Sequence, residues 1–224
     1  MLTVLLLATV QAVPLPAIDG TRLRPGVQCF ALLREGQVLG ATRQTVAATT
    51  VNGQPAWDIV VHQRVADGKF DMRDHFILRR SDLAPISLDN RRHGEDYLKV
   101  TYTPTKITAL RKGGVPKDTA VAGPVWDGNL WGLTFAALPL APGGHYEVPF
   151  YKYDEGLGRF VVDVVDSATV QTPSGPVEAW IVELDADADH KARFQIAKAD
   201  HAELGYVAGP FSQQLGGDCS AIAG

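Results

Sequence analysis

The side chains that could do acid–base or metal chemistry are scattered along the chain. None of its six histidines lies in an H-E-x-x-H pattern, the spacing that puts two zinc ligands on one helix face. Asp71, Asp74 and His75 are close in sequence, but on a strand Asp71 and His75 point to the face opposite Asp74. We therefore interpret the three as polar strand residues and not as one site.

An acidic stretch imitates the start of a calcium-binding loop. Asp185, Asp187 and Asp189 alternate as such a loop requires, but its sixth and twelfth positions need Gly and Glu. Those positions are His190 and Ile196, so we interpret the stretch as a solvated hairpin turn. The sequence predicts no metal site and no cofactor.

Motifs for nucleophilic catalysis and phosphate binding are also missing from the sequence. It contains no G-x-S-x-G pattern and no phosphate loop, and no catalytic residue is predicted. Cys29 lies in a predicted strand and Cys219 in a C-terminal tail, so neither resembles an activated thiol. The two are a candidate disulfide closing a loop of roughly 190 residues, with two free thiols as the alternative.

Large apolar residues are the candidates for a ligand-binding site. The predicted ligand-binding residues are Trp57, Trp126, Leu130, Trp131, Leu133, Phe135 and Trp180. Their side chains could line an apolar cavity, but large aromatic side chains also dominate ordinary cores. Plain core packing is therefore the alternative interpretation of the four tryptophans.

Composition limits the function further. The 224 residues are 46% hydrophobic, and 21 basic against 25 acidic side chains give a net charge of −4. A mildly acidic chain without a basic cluster in its sequence is unlike a nucleic-acid-binding protein. No apolar run approaches 20 residues, so no membrane-spanning helix is predicted. The length suits one domain.

The start of the chain predicts export. Leu2 to Val10 is an apolar run of signal-peptide length, and Val10 and Ala12 stand at the −3 and −1 positions of a cleavage site. We predict a signal peptide over 1–12 and an extended leader over 13–26, since Pro14 and Pro16 favour extended backbone. Cys29 lacks the context of a lipid-anchored cysteine. The mature chain is therefore expected to be soluble in the periplasm of a Gram-negative-type envelope.

The elements that would position these residues are mostly strands. Alternating apolar and polar residues predict about ten antiparallel strands in one domain over 27–215, with Asn52–Gly53 as the strongest hairpin signal. One helix is predicted within Gly123 to Pro139, with Asp127 as N-cap; it is apolar almost all round and must be enclosed. A flexible tail is expected over 216–224.

These elements predict a mainly β fold. Long twisted strands with one apolar face curl around a buried helix, which gives a curved antiparallel sheet in the form of a half-barrel or open barrel. The space between sheet and helix is where an apolar ligand could sit.

Three stretches carry a family resemblance. They are the sequence from Trp126 to Leu140 (WDGNLWGLTFAALPL), the stretch from Thr172 to Trp180 (TPSGPVEAW) and the stretch from Arg79 to Pro85 (RRSDLAP). The pattern resembles exported bacterial proteins grouped as domain of unknown function 3108. It is more remotely similar to periplasmic lipoprotein carriers, whose curved sheet wraps helices around an apolar cavity. The resemblance implies an envelope location and a curved antiparallel sheet, and it transfers no catalytic residue.

Together these features predict a periplasmic, non-enzymatic protein. The leading hypothesis is binding of an apolar ligand, a lipid or an acyl chain, between sheet and helix. The alternative is an interaction module for another envelope protein, with the cavity plugged by the helix. A hydrolase with a dispersed site is the least favoured hypothesis.

Overall fold

The computed structural model describes residues 15–65, 68–185 and 191–222. Within them are fifteen strands, one 3₁₀ helix over Gly20–Arg22 and one α-helix, α1, over Trp131–Ala136. The strands are β1 Gly26–Arg34, β2 Gln37–Val51, β3 Gln54–Val65, β4 Asp71–Arg79, β5 Pro85–Arg92, β6 Glu95–Tyr102, β7 Lys106–Arg111, β8 Lys117–Ala120, β9 Trp126–Asp127, β10 His145–Lys152, β11 Gly156–Thr172, β12 Gly175–Asp185, β13 Lys191–Ala197, β14 Glu203–Ala208 and β15 Phe211–Leu215. Neither helix is long and apolar enough to cross a membrane.

All fifteen described strands form one sheet. Its order is β8-β7-β6-β5-β4-β3-β2-β1-β15-β14-β13-β12-β11-β10-β9. Every pairing is antiparallel except that of β9 with β10. The two edge strands, β8 and β9, are not paired with each other in the described residues, so the sheet stays open. The prediction of a mainly β fold, in which a curved antiparallel sheet forms a half-barrel or open barrel around one buried helix, is confirmed.

Local sequence explains the long central hairpin. Asn52 and Gly53 have φ of 50° and 78°, which these two residue types tolerate, and they join β2 to β3. On β3, Trp57 and Ile59 are fully buried while Asp58 between them is not, as the twofold alternation of a strand requires. Most inward-facing side chains of the strands pack with α1 in one main core, and a second, small cluster consists of Ala179, Ala197 and Leu204.

Side chains bring the two ends of the open sheet together. The Tyr102 hydroxyl on β6 donates a hydrogen bond to Asp127 on β9, at 2.6 Å. Arg111 at the end of β7 forms an ion pair of 2.5 Å with Asp154, in the turn between β10 and β11. Polar side-chain contacts, and not a strand pairing among the described residues, therefore connect the two ends of the open sheet.

The helix prediction was too long. Trp126 and Asp127 form β9, and Asp127 does not cap α1: its Oδ1 accepts hydrogen bonds from the backbone N–H and side-chain amide of Asn129. Its Oδ2 is taken by Tyr102. Because this tight turn holds Asn129, the helix begins only at Trp131.

The strand count and one boundary also differ from the prediction. About ten strands were expected, but short ones such as β8 and β9 have too few residues to show an alternating pattern. Where the alternating pattern of the sequence also suggested one strand from Tyr206 to Phe211, a turn at Gly209 and Pro210 separates β14 from β15, and Gly209 has φ of 56°. The chain reverses there and forms β15 next to β1.

Both ends of the described chain pack against the sheet. Within the predicted extended leader, Ile18 and Leu23 are buried in the core on either side of the 3₁₀ helix. In the segment where a flexible tail was expected, the backbone N–H of Gly217 donates to the Cys29 carbonyl at 3.0 Å, and Ile222 is 5% exposed. Residues 1–12, the predicted signal peptide, lie outside the described residues.

Candidate functional site

The space predicted to hold a ligand, between helix and sheet, is occupied by aromatic side chains of the protein. The Phe135 ring packs edge-on against Phe160 and Phe194, with centroids 5.7 and 5.0 Å apart. The Trp131 ring packs against the same two rings, at 5.9 and 6.1 Å. Phe150 stacks on Phe160 at 4.0 Å. The side chains of α1 thus pack against those of the strands and fill the space between helix and sheet; we call this arrangement the plug.

All seven predicted ligand-binding residues contribute to one hydrophobic core. The buried ones are Trp57, Trp126, Leu130, Leu133 and Phe135, and the partly buried ones are Trp131 and Trp180. Among the tryptophans, hydrogen bonds hold Trp57 to the Gly20 carbonyl at 2.9 Å and Trp126 to the Asp82 carbonyl at 2.8 Å. The Lys198 ammonium lies 4.4 Å from the Trp180 ring centre. These contacts are those of core and surface packing.

An open groove lies elsewhere, at one end of the barrel. We call it the mouth groove; its volume is about 530 Å³. Its walls are Val51, Asn52, Gln54, Pro55, Arg79, Ala84, Pro85, Ile86, Tyr102, Thr103, Pro104, Val121, Gly123, Pro124 and Val125. Most of these side chains are apolar, and all seven predicted ligand residues, which the structure describes, lie outside these walls.

Sequence reasoning missed the mouth groove because four separate segments build it. They are the β2–β3 hairpin, the turn between β4 and β5, the turn after β6, and the segment that follows β8. The only local signal was a proline in each of these segments: Pro55, Pro85, Pro104 and Pro124.

A buried hydrogen bond lies beneath the mouth groove. Tyr102, part of the groove wall, donates its hydroxyl to Asp127, which is 3% exposed. Burial raises the pKa of the Asp127 carboxyl, although the hydrogen bond from Tyr102 opposes the shift. Burial and the Asp127 charge together raise the pKa of Tyr102. The Tyr102 hydroxyl is thus one of a few polar groups in a mostly apolar wall, which also includes Asn52, Gln54, Arg79 and Thr103.

Two further carboxyl groups are buried in the barrel. Asp74 accepts a hydrogen bond of 2.6 Å from Asn90, and burial raises the pKa of Asp74 to about 6. Glu203 accepts a hydrogen bond of 3.4 Å from Gln44, and burial raises the pKa of Glu203 to about 7. Neither residue lines the mouth groove.

The acidic residues considered in the sequence do not assemble into one site. Asp74 is inside, while Asp71 pairs with His62 at 2.8 Å and His75 with Asp58 at 2.9 Å on the outer face. No group of three or more His, Cys, Asp or Glu among residues 15–65, 68–185 and 191–222 is arranged to hold a metal ion. Asp187, Asp189 and His190 of the acidic stretch lie outside the described residues.

The two cysteines form a disulfide. Cys29 on β1 and Cys219 in the tail are 190 residues apart in sequence, and their Cα atoms are 5.8 Å apart. The Cys219 sulfur also lies 3.4 Å from the Thr42 carbonyl on β2. The tail is therefore fixed across the neighbouring strands β1 and β2.

Comparison with known proteins gives a fold and a family. No curated protein sequence matches the chain. A solved structure that is similar is the beta-barrel-like protein of domain of unknown function DUF1849 from Brucella abortus, with 10% identity and a TM-score of 0.51. The match covers 88% of this chain and 97% of that one, and at this identity it shows the fold alone. The model of the family "Protein of unknown function (DUF3108)" matches residues 30–208, which confirms the resemblance seen in the sequence: the chain belongs to this family.

Proposed function

We propose that this protein is exported to the periplasm, where it binds an apolar ligand without catalysing a reaction. The binding site is the mouth groove, and not the space between sheet and helix that the sequence favoured. The groove itself carries this proposal. Its volume of about 530 Å³ lies within the range of small-molecule sites, and apolar walls with few polar points are typical of them.

The chemistry of the walls favours an acyl chain as the occupant. Four of the lining residues are prolines, which have no backbone N–H. A peptide that binds as an added β-strand needs main-chain hydrogen-bond partners, whereas a hydrocarbon chain needs none. Val51, Ile86 and Val121 add aliphatic surface, whose burial against hydrocarbon stabilises by about 25 cal/mol per Å².

Export is supported by two features that are independent of the groove. The disulfide between Cys29 and Cys219 belongs to an oxidising compartment, since cytoplasmic thiols are kept reduced. The first twelve residues have the pattern of a signal peptide. Expression of the full chain with N-terminal sequencing of the mature protein tests this part: cleavage after Ala12 is expected, and an intact N-terminus in the cytoplasm would contradict it.

Native mass spectrometry tests ligand binding. The protein, purified from the periplasm without detergent, is incubated with vesicles of envelope lipids, and any bound mass is extracted with solvent. We expect an added mass that extracts as a lipid or fatty acid. A mass equal to that of the chain alone, before and after incubation, would contradict ligand binding.

A matched pair of variants locates the site. Ile86→Asp places a charge in the wall of the groove, and because burying an unpaired charge costs several kcal/mol, retention should fall by about tenfold or more. Val115→Asp makes the same change at a residue that is 84% exposed and not in the groove, and should retain the ligand. Equal retention by both variants would place the ligand elsewhere.

A second candidate is an interaction module for another envelope protein. The observation that favours it is the filled interior, in which Trp131 and Phe135 pack against Phe160 and Phe194. The mass spectrum separates the two candidates: a chain that stays free of lipid but forms a defined complex with one envelope protein would favour the module.

A further inference from the structure

The outer face of the sheet carries a row of basic side chains from four adjacent strands. The register sets Arg43 opposite His62, His62 opposite Arg73, and Arg73 opposite Arg91. These four residues, which we call the basic row, are contributed by β2, β3, β4 and β5. Since neighbouring strands lie about 4.8 Å apart, the row is about 14 Å long.

The alternation of the strands places the row outside. Thr42 and Gln44, on either side of Arg43, are 1% and 4% exposed and face inward. Asp74, next to Arg73, is also buried inside. The strand register thus places side by side basic residues that are far apart in the sequence. For this reason the sequence itself shows no basic cluster.

Part of the positive charge of the row is uncompensated. His62 pairs with Asp71 at 2.8 Å, and Arg91 pairs with Asp96 at 2.9 Å. The guanidinium groups of Arg43 and Arg73 have no ion-pair or hydrogen-bond partner among residues 15–65, 68–185 and 191–222. Like charges directly opposite each other on adjacent strands destabilise a sheet, so the Arg73–Arg91 pair has an energetic cost in the free protein.

A shallow depression lies at one end of the row. Its volume is about 270 Å³, and its lining residues are Arg73, His75, Asp89, Arg91, Asp96 and Lys99. The Asp89 Oδ1 atom lies 3.7 Å from the Lys99 Nζ atom, and Asp96 is paired with Arg91. Arg73 is therefore the cation of this depression whose hydrogen-bond donors are available to a ligand. A guanidinium group matches the geometry of a phosphate because it can donate two parallel hydrogen bonds.

We propose that the basic row binds a linear anion that carries several phosphate groups. Arg73 holds one phosphate at the depression, with Arg91 beside it, and Arg43 contacts a second one further along the chain. The backbones at Arg43 and Arg73 are separated by two strand spacings, about 9.6 Å, so an anion with several phosphates can contact both guanidinium groups without the two side chains converging on one phosphate. The proposal does not rest on the mouth groove, which lies elsewhere on the barrel.

Isothermal titration with two probes tests the proposal. Tripolyphosphate is a linear chain of three phosphates, and orthophosphate carries one; both are titrated at matched ionic strength because surface electrostatics are screened by salt. We expect tripolyphosphate to bind about tenfold or more tightly than orthophosphate, because one additional charge-assisted contact contributes about 1.5 kcal/mol or more. Equal affinity for the two probes would overturn the linear arrangement.

Variants at single positions separate specific binding from general attraction to a polyanion. Arg73→Gln and Arg43→Gln should each weaken tripolyphosphate binding by about tenfold, the loss expected for one charge-assisted contact. Lys117→Gln on β8 removes the same charge from an exposed strand residue outside the row, and should bind as the original protein does. If all three variants bind equally, the row is not the site.

A stability measurement without anion gives an independent readout. In a low-salt buffer without phosphate, Arg73→Gln should raise the melting temperature because it removes repulsion with Arg91. Adding tripolyphosphate should then raise the melting temperature of the original protein more than that of the variant. A lower melting temperature of the variant in both buffers would assign Arg73 a structural role and overturn the proposal.

Discussion

Glu203 is a buried carboxyl group whose surroundings explain both its pKa and a glycine in the helix. It is 4% exposed, and its side chain accepts one hydrogen bond, from Gln44. A Cβ atom added at Gly132 of α1 would overlap the Glu203 carboxylate. Because Gly132 has no side chain, α1 can pack directly on the Glu203 carboxyl group. This burial raises the pKa of Glu203 to about 7.

The pH dependence of stability follows from this pKa. The folded protein keeps a proton on Glu203 up to about pH 7, whereas the unfolded chain releases it near its ordinary value of 4.5. Stability should therefore fall as pH rises from about 4.5 to about 7, and the folded state is penalised by about 3 kcal/mol above that range.

Glu203→Gln removes the ionisation but keeps an acceptor for Gln44. Urea unfolding should show that this variant is more stable than the original protein at pH 8, and nearly equal to it at pH 4.5. Glu35→Gln, at an exposed turn, is the control and should retain the original pH dependence. A Glu203→Gln variant with the same slope between pH 4.5 and 7 would contradict the assignment.

At the level of single residues, strand alternation predicted more than residue type did. It placed Trp57 and Ile59 on one face, and both are fully buried. It also placed Asp74 on the face opposite Asp71 and His75, and Asp74 is buried whereas the other two are not, although its burial was not predicted. The partner Asn90 could not be predicted, because it is set by the register of β4 with β5.

The helix α1 matters as an element because it fills the barrel. Its six residues run from Trp131 to Ala136, and five of them are buried. An isolated helix of this length is not stable in water, so packing within the sheet must hold it. The apolar sequence of α1 predicted that the helix is enclosed. Its first residue could not be predicted, because it depends on Asp127 accepting hydrogen bonds from Asn129 and Tyr102, and no sequence signal for a helix start contains these contacts.

Removing one ring of the plug should be costly for stability. Phe135 is fully buried between Phe160 and Phe194, so Phe135→Ala should lower the free energy of unfolding by about 3–5 kcal/mol. Phe70→Ala, at a residue that is 41% exposed, should cost about 1 kcal/mol or less.

The same variant also tests the location of the ligand. If an acyl chain binds in the mouth groove, the folded Phe135→Ala protein should retain it as well as the original does. Urea unfolding and native mass spectrometry measure the two effects on one preparation. A small stability loss together with a lost ligand would instead place the ligand beside the helix.

For the whole molecule, the fold class was more predictable than its functional surfaces. Long alternating strands and tight turns led to an open curved sheet because strand period and twist are local properties. The mouth groove needs segments that run from Val51 to Val125, and the basic row needs the register of four strands. Both depend on distant pairings, which the pattern of single segments does not contain.

The disulfide connects the two ends of this long sheet-forming chain. Because Cys29 and Cys219 are 190 residues apart, the bond restricts almost the whole unfolded chain. The chain-entropy model gives a stabilisation of about 5 kcal/mol for a loop of this length. The variant with Cys29→Ser and Cys219→Ser should lose up to this amount in urea unfolding, compared with the oxidised protein.

Single variants and hydrogen exchange separate the bond from its local contacts. Cys29→Ser alone and Cys219→Ser alone should each be as unstable as the double variant, since either change removes the bond. The amides of Gly216 and Gly217, which both donate to the Cys29 carbonyl, should also exchange faster in all three variants. Unchanged stability with faster exchange only at these two amides would mean that the bond fixes the tail but does not constrain the unfolded chain, which would contradict the entropic account.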